Sequence, residues 1–542
     1  MDRNWRIVLS GLFLALCFVP GVSGSVPVVA QQWRPVEVMF SAETEIADPF
    51  DLEGANFVAA FTASDGTRLD IPGFWDGERT WKIRFTPTRS GRWTYVTRFA
   101  NPKDKGLHGK TGELAVKPGS GTIATQLHGG FLKPSTDGRS LTYTDGTPFF
   151  WLGDTWWAVP SANVPFDVFK RQVDARLPLG YTIFQAHGHR PIFPDSQIGA
   201  FEAVRKPDAE TLRYWRETDR YLVYACEKGM IGMMGFGRGD MFDPLSMGEL
   251  KRLWRYYIAR YGAFPVSFLI TQEYNIDVST RGQHIPKLLA VGQFIKDTDP
   301  YKRAMTAHPW CRSRDSKQSW DQPWQDFIML QAGHRRFESA KAYQEIWQRT
   351  PPRAFLEAEA NYEGFASADF EVNAAAIRRS AYTAVQSGSF GFTYGAQGLY
   401  AGILDRTRPG PTARWGPVLT GEEALSLAGG LQLRHLRACY ESVPWWKLSP
   451  LPDAVEPAAT SVIVKGEPPS LFLIYYIPTK GPLKELCLTQ ASKTGRYEAH
   501  WFDPRTGNQS SAGDLRPADK GFRLPSPPDN QDWMLILRWR ES

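Results

Sequence analysis

The strongest constraint on this chain is the texture of residues 125–435, where short apolar runs alternate with amphipathic helical stretches. Eight runs can be counted: Phe149–Gly153, Tyr181–Ala186, Met230–Gly235, Ser267–Glu273, Arg303–His308, Phe327–Gln331, Arg353–Glu359 and Phe390–Tyr394. Helical candidates such as Leu212–Lys228, Ser246–Tyr261, Ile285–Asp297 and Phe370–Ser387 lie between them. A short apolar run followed by a helix-period stretch is the strand–helix unit of a parallel sheet. Eight units over about 300 residues fit a closed (β/α)8 TIM barrel. An open doubly wound sheet is the alternative, but no glycine-rich phosphate loop accompanies the units, which favours closure.

The chain has 542 residues, too many for one ordinary core, so further domains are expected on either side. In residues 33–118, Trp81, Ile83 and Phe85 alternate with Lys82 and Arg84, the period of a half-buried strand. Thr88-Arg89-Ser90-Gly91 then reads as the turn of a hairpin into Arg92–Val96. Strands at this spacing predict an antiparallel β-sandwich, ended by the linker chemistry of Pro118-Gly119-Ser120-Gly121. Residues 436–542 return to strands, with the apolar run Leu471–Tyr476, the turn Asp503–Gly507 and a last run at Trp533–Leu537. A second β-sandwich is expected there.

Residues 1–30 read as an export signal: Arg3 and Arg6, then an apolar stretch from Ile7 to Pro20. Small residues at Val22-Ser23-Gly24 and at Val28-Val29-Ala30 each offer a cleavage position. The apolar stretch is short for a membrane span, so a secreted or periplasmic chain is expected rather than an anchored one. The net charge of +6 is spread without a basic block, which argues against a nucleic-acid partner. Of five cysteines one lies in the signal, and the other four lack CxxC spacing, so no metal cluster is expected. Twenty tryptophans serve either large cores or sugar-stacking platforms.

The carboxylates carry the chemistry. A glycosidic bond breaks when one carboxyl protonates the leaving oxygen and another captures or stabilises the oxocarbenium-like centre. The test is two carboxylates at the mouth ends of different barrel strands. In the fourth run Leu269, Thr271 and Glu273 share one face, opposite Phe268 and Ile270, which suit packing on helices. In the seventh, Phe355, Glu357 and Glu359 share a face, opposite Ala354, Leu356 and Ala358. Strict alternation thus turns Glu273 and Glu359 inward, with Glu357 a direct rival of Glu359 and Glu363 a weaker one. Other run ends are polar or aromatic: Asp154, Trp156, Trp157, His187, His189, Asn275, His308, Trp310, Gln331, His334, Tyr362 and Tyr394. Each alone can cap, pack or satisfy a core; converging on one mouth, they describe a sugar cleft. His187-Gly188-His189 has no carboxylate at ligand spacing, so neither a metal nor another cofactor is expected.

At this point several motifs resemble one family. Phe150–Trp157 is similar to the opening strand of apiosidase-like glycoside hydrolases, and Gln331-Ala332-Gly333-His334 to their sixth-strand motif. Glu359-Ala360-Asn361-Tyr362-Glu363-Gly364 resembles the seventh-strand motif, whose first glutamate is the catalytic carboxylate, and Ser389–Ala396 the eighth. Trp501–Gly507 and Asp532-Trp533 resemble the C-terminal domain that accompanies the family, labelled collagen-binding. The resemblance covers nearly all of the chain after the signal. It implies a barrel between two sandwiches, with acid/base on strand four and nucleophile on strand seven. One departure stands: the family's acid/base position can be aspartate, whereas this chain offers Gln272-Glu273. The apiose specificity is therefore not carried over.

The expectation is a secreted hydrolase of polysaccharide or oligosaccharide, with a pectic glycan among the candidates. Glu273 is expected as acid/base, its pKa raised by burial and by its neighbour's charge, and Glu359 as nucleophile. The alternatives are a secreted carbohydrate- or matrix-binding protein without turnover, and a transglycosylase using the same residues. No oligomeric state is assigned.

Overall fold

The computed structural model describes residues 18–20, 28–119, 129–276, 284–311 and 318–541, apart from 335, 368, 409, 480, 482–484, 492–493 and 519–520. At its centre is an eight-stranded parallel sheet. Its strands are β1 (Trp151–Thr155), β2 (Ile183–His187), β3 (Ile231–Gly235), β4 (Val266–Leu269), β5 (Met305–Thr306), β6 (Ile328–Leu330), β7 (Phe355–Glu357) and β8 (Gly391–Tyr394). All eight expected runs hold a strand. The order β5-β4-β3-β2-β1-β8-β7-β6 wraps round, so that β5 and β6 face each other. The Asp326 amide reaches the Met305 carbonyl (2.9–3.0 Å class of bond, here 3.0 Å) and the Thr306 hydroxyl reaches the Phe327 carbonyl (2.7 Å) across that seam. The result is a near-closed (β/α)8 barrel.

The surrounding helices form where the sequence placed them, for local reasons. Ala209–Lys228 starts on Asp208, whose carboxylate accepts from the Thr211 amide. Met247–Tyr261 starts on a full capping box between Ser246 and Glu249. Ala374–Gln386 starts on Asn373. The helix Ala428–Glu441 runs unbroken through the expected boundary at 435/436, because Leu433, Leu436 and Tyr440 on its inner face remain in the barrel's core.

The barrel is flanked by smaller, mostly antiparallel sheets. The N-terminal pair holds five strands (Val28–Gln31, Thr111–Lys117, Gly91–Phe99, Phe57–Ala63, Arg68–Pro72) and four (Phe18–Pro20, Val36–Ser41, Thr80–Phe85, Phe74–Trp75). Thr80–Phe85 and Gly91–Phe99 do not pair as the expected hairpin. They sit in opposite sheets, and the turn between them arches across the sandwich. The reason is apolar: Phe85 stacks on Phe61 at 3.9 Å and meets Trp93 at 5.1 Å, so the two strands' inner faces pack on each other. Nor is Arg84 on a solvated face. It is 4% exposed and donates to Glu37 (2.8 Å) and Asp219 (3.0 Å), while Arg260 bridges Asp219 and Asp76. This ion network docks the sandwich on the barrel's helices.

Within the expected signal, residues 1–17 and 21–27 lie outside the described residues. Phe18–Pro20 and Val28–Gln31 are edge strands, pairing in parallel with Val36–Ser41 and Thr111–Lys117. Cleavage after Ala30 would remove most of the second; cleavage after Gly24 would keep it. The C-terminal domain has a six-stranded sheet, with Leu471–Tyr476 central, facing a three-stranded one. Asp532 docks it on the barrel through a bidentate pair with Arg378 (2.8 and 2.7 Å).

Candidate active site

The barrel mouth opens into a cavity of about 770 Å³, within the range of small-ligand sites. Glu273 and Glu359 both line it. They are joined by Gln331, whose amide nitrogen lies 2.8 Å from Glu359 Oε1 and 3.4 Å from Glu273 Oε1. The second contact is long for a hydrogen bond. Because one nitrogen touches both, the two oxygens are no further apart than those distances placed end to end.

Glu273 stands four residues beyond the end of β4, in the left-handed region at φ +46°. A side chain held there is uncommon and costs about 1–3 kcal/mol, which the surroundings must supply. They do so through the loop after β3. Gln272 donates its amide to the Gly237 carbonyl (3.0 Å) and accepts from the Gly239 amide (2.9 Å). A Cβ on Gly239 would lie 2.9 Å from the Glu273 carbonyl oxygen, so only glycine lets this loop close on the acid's backbone.

Glu359 reaches the cavity by a different route. Phe355 stacks on Tyr343 of the helix Ala340–Trp347, and Glu357 accepts from the Tyr343 hydroxyl (2.7 Å). That face of β7 therefore points outward, toward the helices, and strict alternation would have sent Glu359 outward too. It does not. The amides of Ala358 and Glu359 both point at the Leu330 carbonyl, at 2.9 and 3.3 Å. Two residues against one is a bulge, which flips the side chain that follows. The Glu357 carboxyl supports it, with Oε1 accepting from the Glu359 and Ala332 amides at 3.2 Å each.

The two environments set opposite proton affinities. Burial, then the negative charge of Glu359, raises the Glu273 pKa to about 7. Burial alone would raise Glu359 as well. The His334 hydrogen bond, the field of His308 and the Tyr362 hydroxyl outweigh it and hold the carboxyl below its ordinary value. His334 Nε2 is 3.4 Å from Glu359 Oε1, and His308 Nε2 is 3.5 Å from Oε2. Glu359 Oε2 and both His308 ring nitrogens are buried with no hydrogen-bond partner among the described residues, unspent polar capacity beside the cavity. Glu357, wholly buried outside the barrel wall, is raised by burial to about 8. It is no rival for the cavity.

Of the expected contacts, Trp157, His187, His189, Trp310, Gln331, His334 and Tyr362 line the cavity. Trp157 donates to the Tyr362 hydroxyl (3.1 Å) and stacks on His187, which meets Gln272 Oε1 at 2.9 Å. His308 sits behind Glu359. Four others are corrected. Asp154 turns outward and pairs with Arg176 at 2.6 Å, both fully buried. Trp156 packs on Phe184 and Phe169 in the helix layer. The Tyr394 hydroxyl donates to Glu363 (2.7 Å), and Glu363 caps the helix Ala428–Glu441 through the Gly429 and Gly430 amides. Asn275 accepts from the Trp310 amide (2.6 Å), shaping a rim loop rather than lining the cavity. β1 and β8 residues that look polar-inward thus serve a second buried layer.

Sequence reasoning missed Arg190, Arg238, Phe365, Tyr400, Arg414 and Trp415 in the lining. Phe365 and Trp415 stack at 4.8 Å, and Tyr362 meets Tyr400 at 5.1 Å, making one aromatic wall beside Glu359. Tyr400 and Trp415 come from the long stretch between β8 and the last barrel helix. Aromatic residues in so long a strand–helix loop were the available signal.

A family model described as "Apiosidase-like, catalytic domain" matches residues 135–447, more than half of the chain. The chain belongs to the apiosidase-like family. It is a glycoside hydrolase, and a carbohydrate is its substrate. Residues 29–100 match "Domain of unknown function (DUF5060)" and residues 456–538 match "Putative collagen-binding domain of a collagenase". Among solved structures, a "putative glycoside hydrolase" from Bacteroides vulgatus ATCC 8482 shares 15% identity at TM-score 0.71, covering 94% of this chain and all of the other. A family 5 glycoside hydrolase from the same organism shares 21% identity at TM-score 0.65, over 77% of this chain and 95% of that one. These two show the fold. A search of curated proteins returned no significant match. Among the described residues, no group of three metal-ligating side chains forms and no helix is long and apolar enough to cross a membrane.

Proposed function

We propose that this apiosidase-like hydrolase cleaves a polysaccharide or oligosaccharide by a retaining, two-glutamate mechanism. The observation that carries the reading is the opposed pair of carboxyls held by one Gln331 amide. Glu359, ionised and aimed into the cavity, attacks the anomeric carbon. Glu273, protonated up to about pH 7, gives its proton to the leaving oxygen. A covalent glycosyl–enzyme results. Glu273, now a base, then takes a proton from water, which releases the sugar with retained configuration. The shared Gln331 contact, with one oxygen of each carboxyl on the same amide nitrogen, supports the close spacing of a retaining pair. The aromatic wall offers stacking faces to sugar C–H groups, and His334 and Tyr362 offer hydrogen bonds.

Export is part of the proposal. Cleavage after Gly24 removes the apolar leader and keeps the edge strand Val28–Gln31 in its sheet. The test of function is reducing-sugar release from a panel that includes pectic fractions, with wild type beside Glu273→Gln and Glu359→Gln. Release that both folded variants lose supports the reading. A wild type that binds one glycan without release, with both variants binding equally, overturns it.

A further inference from the structure

The cavity holds one cation for which the two-glutamate chemistry has no use. Arg190 follows the His187-Gly188-His189 end of β2 and lines the cavity wall. The five arginines buried among the described residues, Arg84, Arg176, Arg260, Arg303 and Arg378, each pair with a carboxylate. Arg190, half-buried, has no hydrogen-bond or ion-pair partner among the described residues. Burial lowers its pKa, and Tyr400 is the one group that acts against this. A partly desolvated guanidinium with no anion is costly unless a ligand supplies one.

The position of Arg190 fixes where that anion would sit. Tyr400, which feels its charge, packs on Tyr362, whose hydroxyl reaches Glu359. Its charge also acts on His187 and His189, and His187 meets Gln272 beside Glu273, so Arg190 enters the cavity between the Tyr362 wall and the Gln272 wall. Arg238, also within the cavity lining, is already held by Asp240 through two bonds, of 2.9 and 2.8 Å. At the rim, exposed Arg414 lies over Trp415 and adds a second positive charge. With Glu273 protonated and the paired Arg238 set aside, Glu359 is the single negative charge among the described lining residues, against Arg190 and Arg414.

We propose that the sugar bound in this cavity is acidic, a uronic acid unit whose carboxylate pairs with Arg190. This rests on the reading of the cavity as a glycan site, and it names the substrate class within that reading. A guanidinium offers a planar fork that matches a carboxylate and gains little from a neutral hydroxymethyl group.

The experiment uses the whole protein. Calorimetric titration at mildly acid pH compares D-galacturonate and D-glucuronate with D-galactose and D-glucose. At least one acid should bind at least about 10-fold tighter than its neutral counterpart, the worth of a charge-assisted pair. Arg190→Met should bring that ratio to within about 2-fold, and Arg190→Lys should restore part of it. Equal binding of acid and neutral sugars, binding of neither, or an acid preference that survives Arg190→Met would overturn the inference.

Hydrolysis of the glycan panel before and after chemical reduction of its carboxyl groups separates the two claims. Acid preference in binding without any turnover would leave the Arg190 assignment standing and sink the hydrolytic mechanism. Turnover that is indifferent to carboxyl reduction would do the reverse. If Arg190→Met fails to fold, the comparison of reduced and unreduced glycan by wild type decides alone.

Discussion

The two faces of the barrel wall at its mouth treat buried acids in opposite ways. Inside, Glu273 and Glu359 share one amide contact, and Glu359 Oε2 is left without a hydrogen-bond partner among the described residues. Outside, Asp154, Glu357 and Glu363 are as deeply buried, yet their oxygens are met by Arg176, by the Ala332 and Glu359 amides with Tyr343, and by two helix amides with Tyr394. Burial alone does not mark a catalytic acid. Unspent hydrogen-bonding capacity aimed at a cavity does.

Substitutions on either face should separate these roles, beginning with the largest effect. Glu359→Gln should lower kcat by at least about 10³-fold with little change in melting temperature, since the loss is of an attacking atom. Asp154→Ala should do the opposite. It strands Arg176 in the core and should cost about 3–5 kcal/mol of stability, read by denaturant unfolding. If Asp154→Ala left stability intact while abolishing turnover, the division between faces would fail.

Glu273→Gln should slow the reaction by about 10²–10⁴-fold. The pH profile sharpens this assignment. In wild type kcat/KM should fall as pH rises through about 7, because the acid then loses its proton before it can donate it. The variant should lack that falling limb. A wild-type profile flat across pH 7 would remove Glu273 as the acid.

The smallest effects concern Glu357. Glu357→Ala takes the acceptor from the buried Ala332 amide and leaves the Glu359 amide only its long contact to the Leu330 carbonyl, so it should cost about 1–3 kcal/mol, with some loss of kcat as the bulge relaxes. Glu357→Gln keeps the acceptor and should be nearly neutral in stability. It should also change the response to pH. The raised pKa of Glu357 means that the folded chain holds a proton that the unfolded chain has released between 4.5 and about 8, so stability falls as pH rises through that window. The glutamine variant should show a shallower fall in melting temperature over the same range.

Much of this was legible in the residues. The eight runs, the capping signals at Asp208, Ser246 and Asn373, and the inward set of β4 all follow from local periodicity and backbone hydrogen-bonding needs. Glu359 was found by alternation that the fold does not obey: β7 carries Phe355 and Glu357 outward, and a bulge brings Glu359 back. No pattern along one strand encodes that, because the bulge is set by the Leu330 carbonyl on the neighbouring strand. The arch from Thr80–Phe85 to Gly91–Phe99 was read as a hairpin for a related reason. A turn sequence specifies a reversal, not which sheet receives the next strand.

The sequence by itself determined the barrel, the flanking strands and the two candidate carboxyls, since strand–helix alternation and residue chemistry are local properties. Only the tertiary structure decided which acids keep an open oxygen, that Asp154, Glu363 and Tyr394 belong to a buried outer layer, and that Arg190, near Tyr400, has no partner among the described residues. Those outcomes depend on partners about 20 to more than 200 residues away in the chain, as with Asp154 and Arg176 or Arg190 and Tyr400, and contact at that range is fixed by how the layers pack.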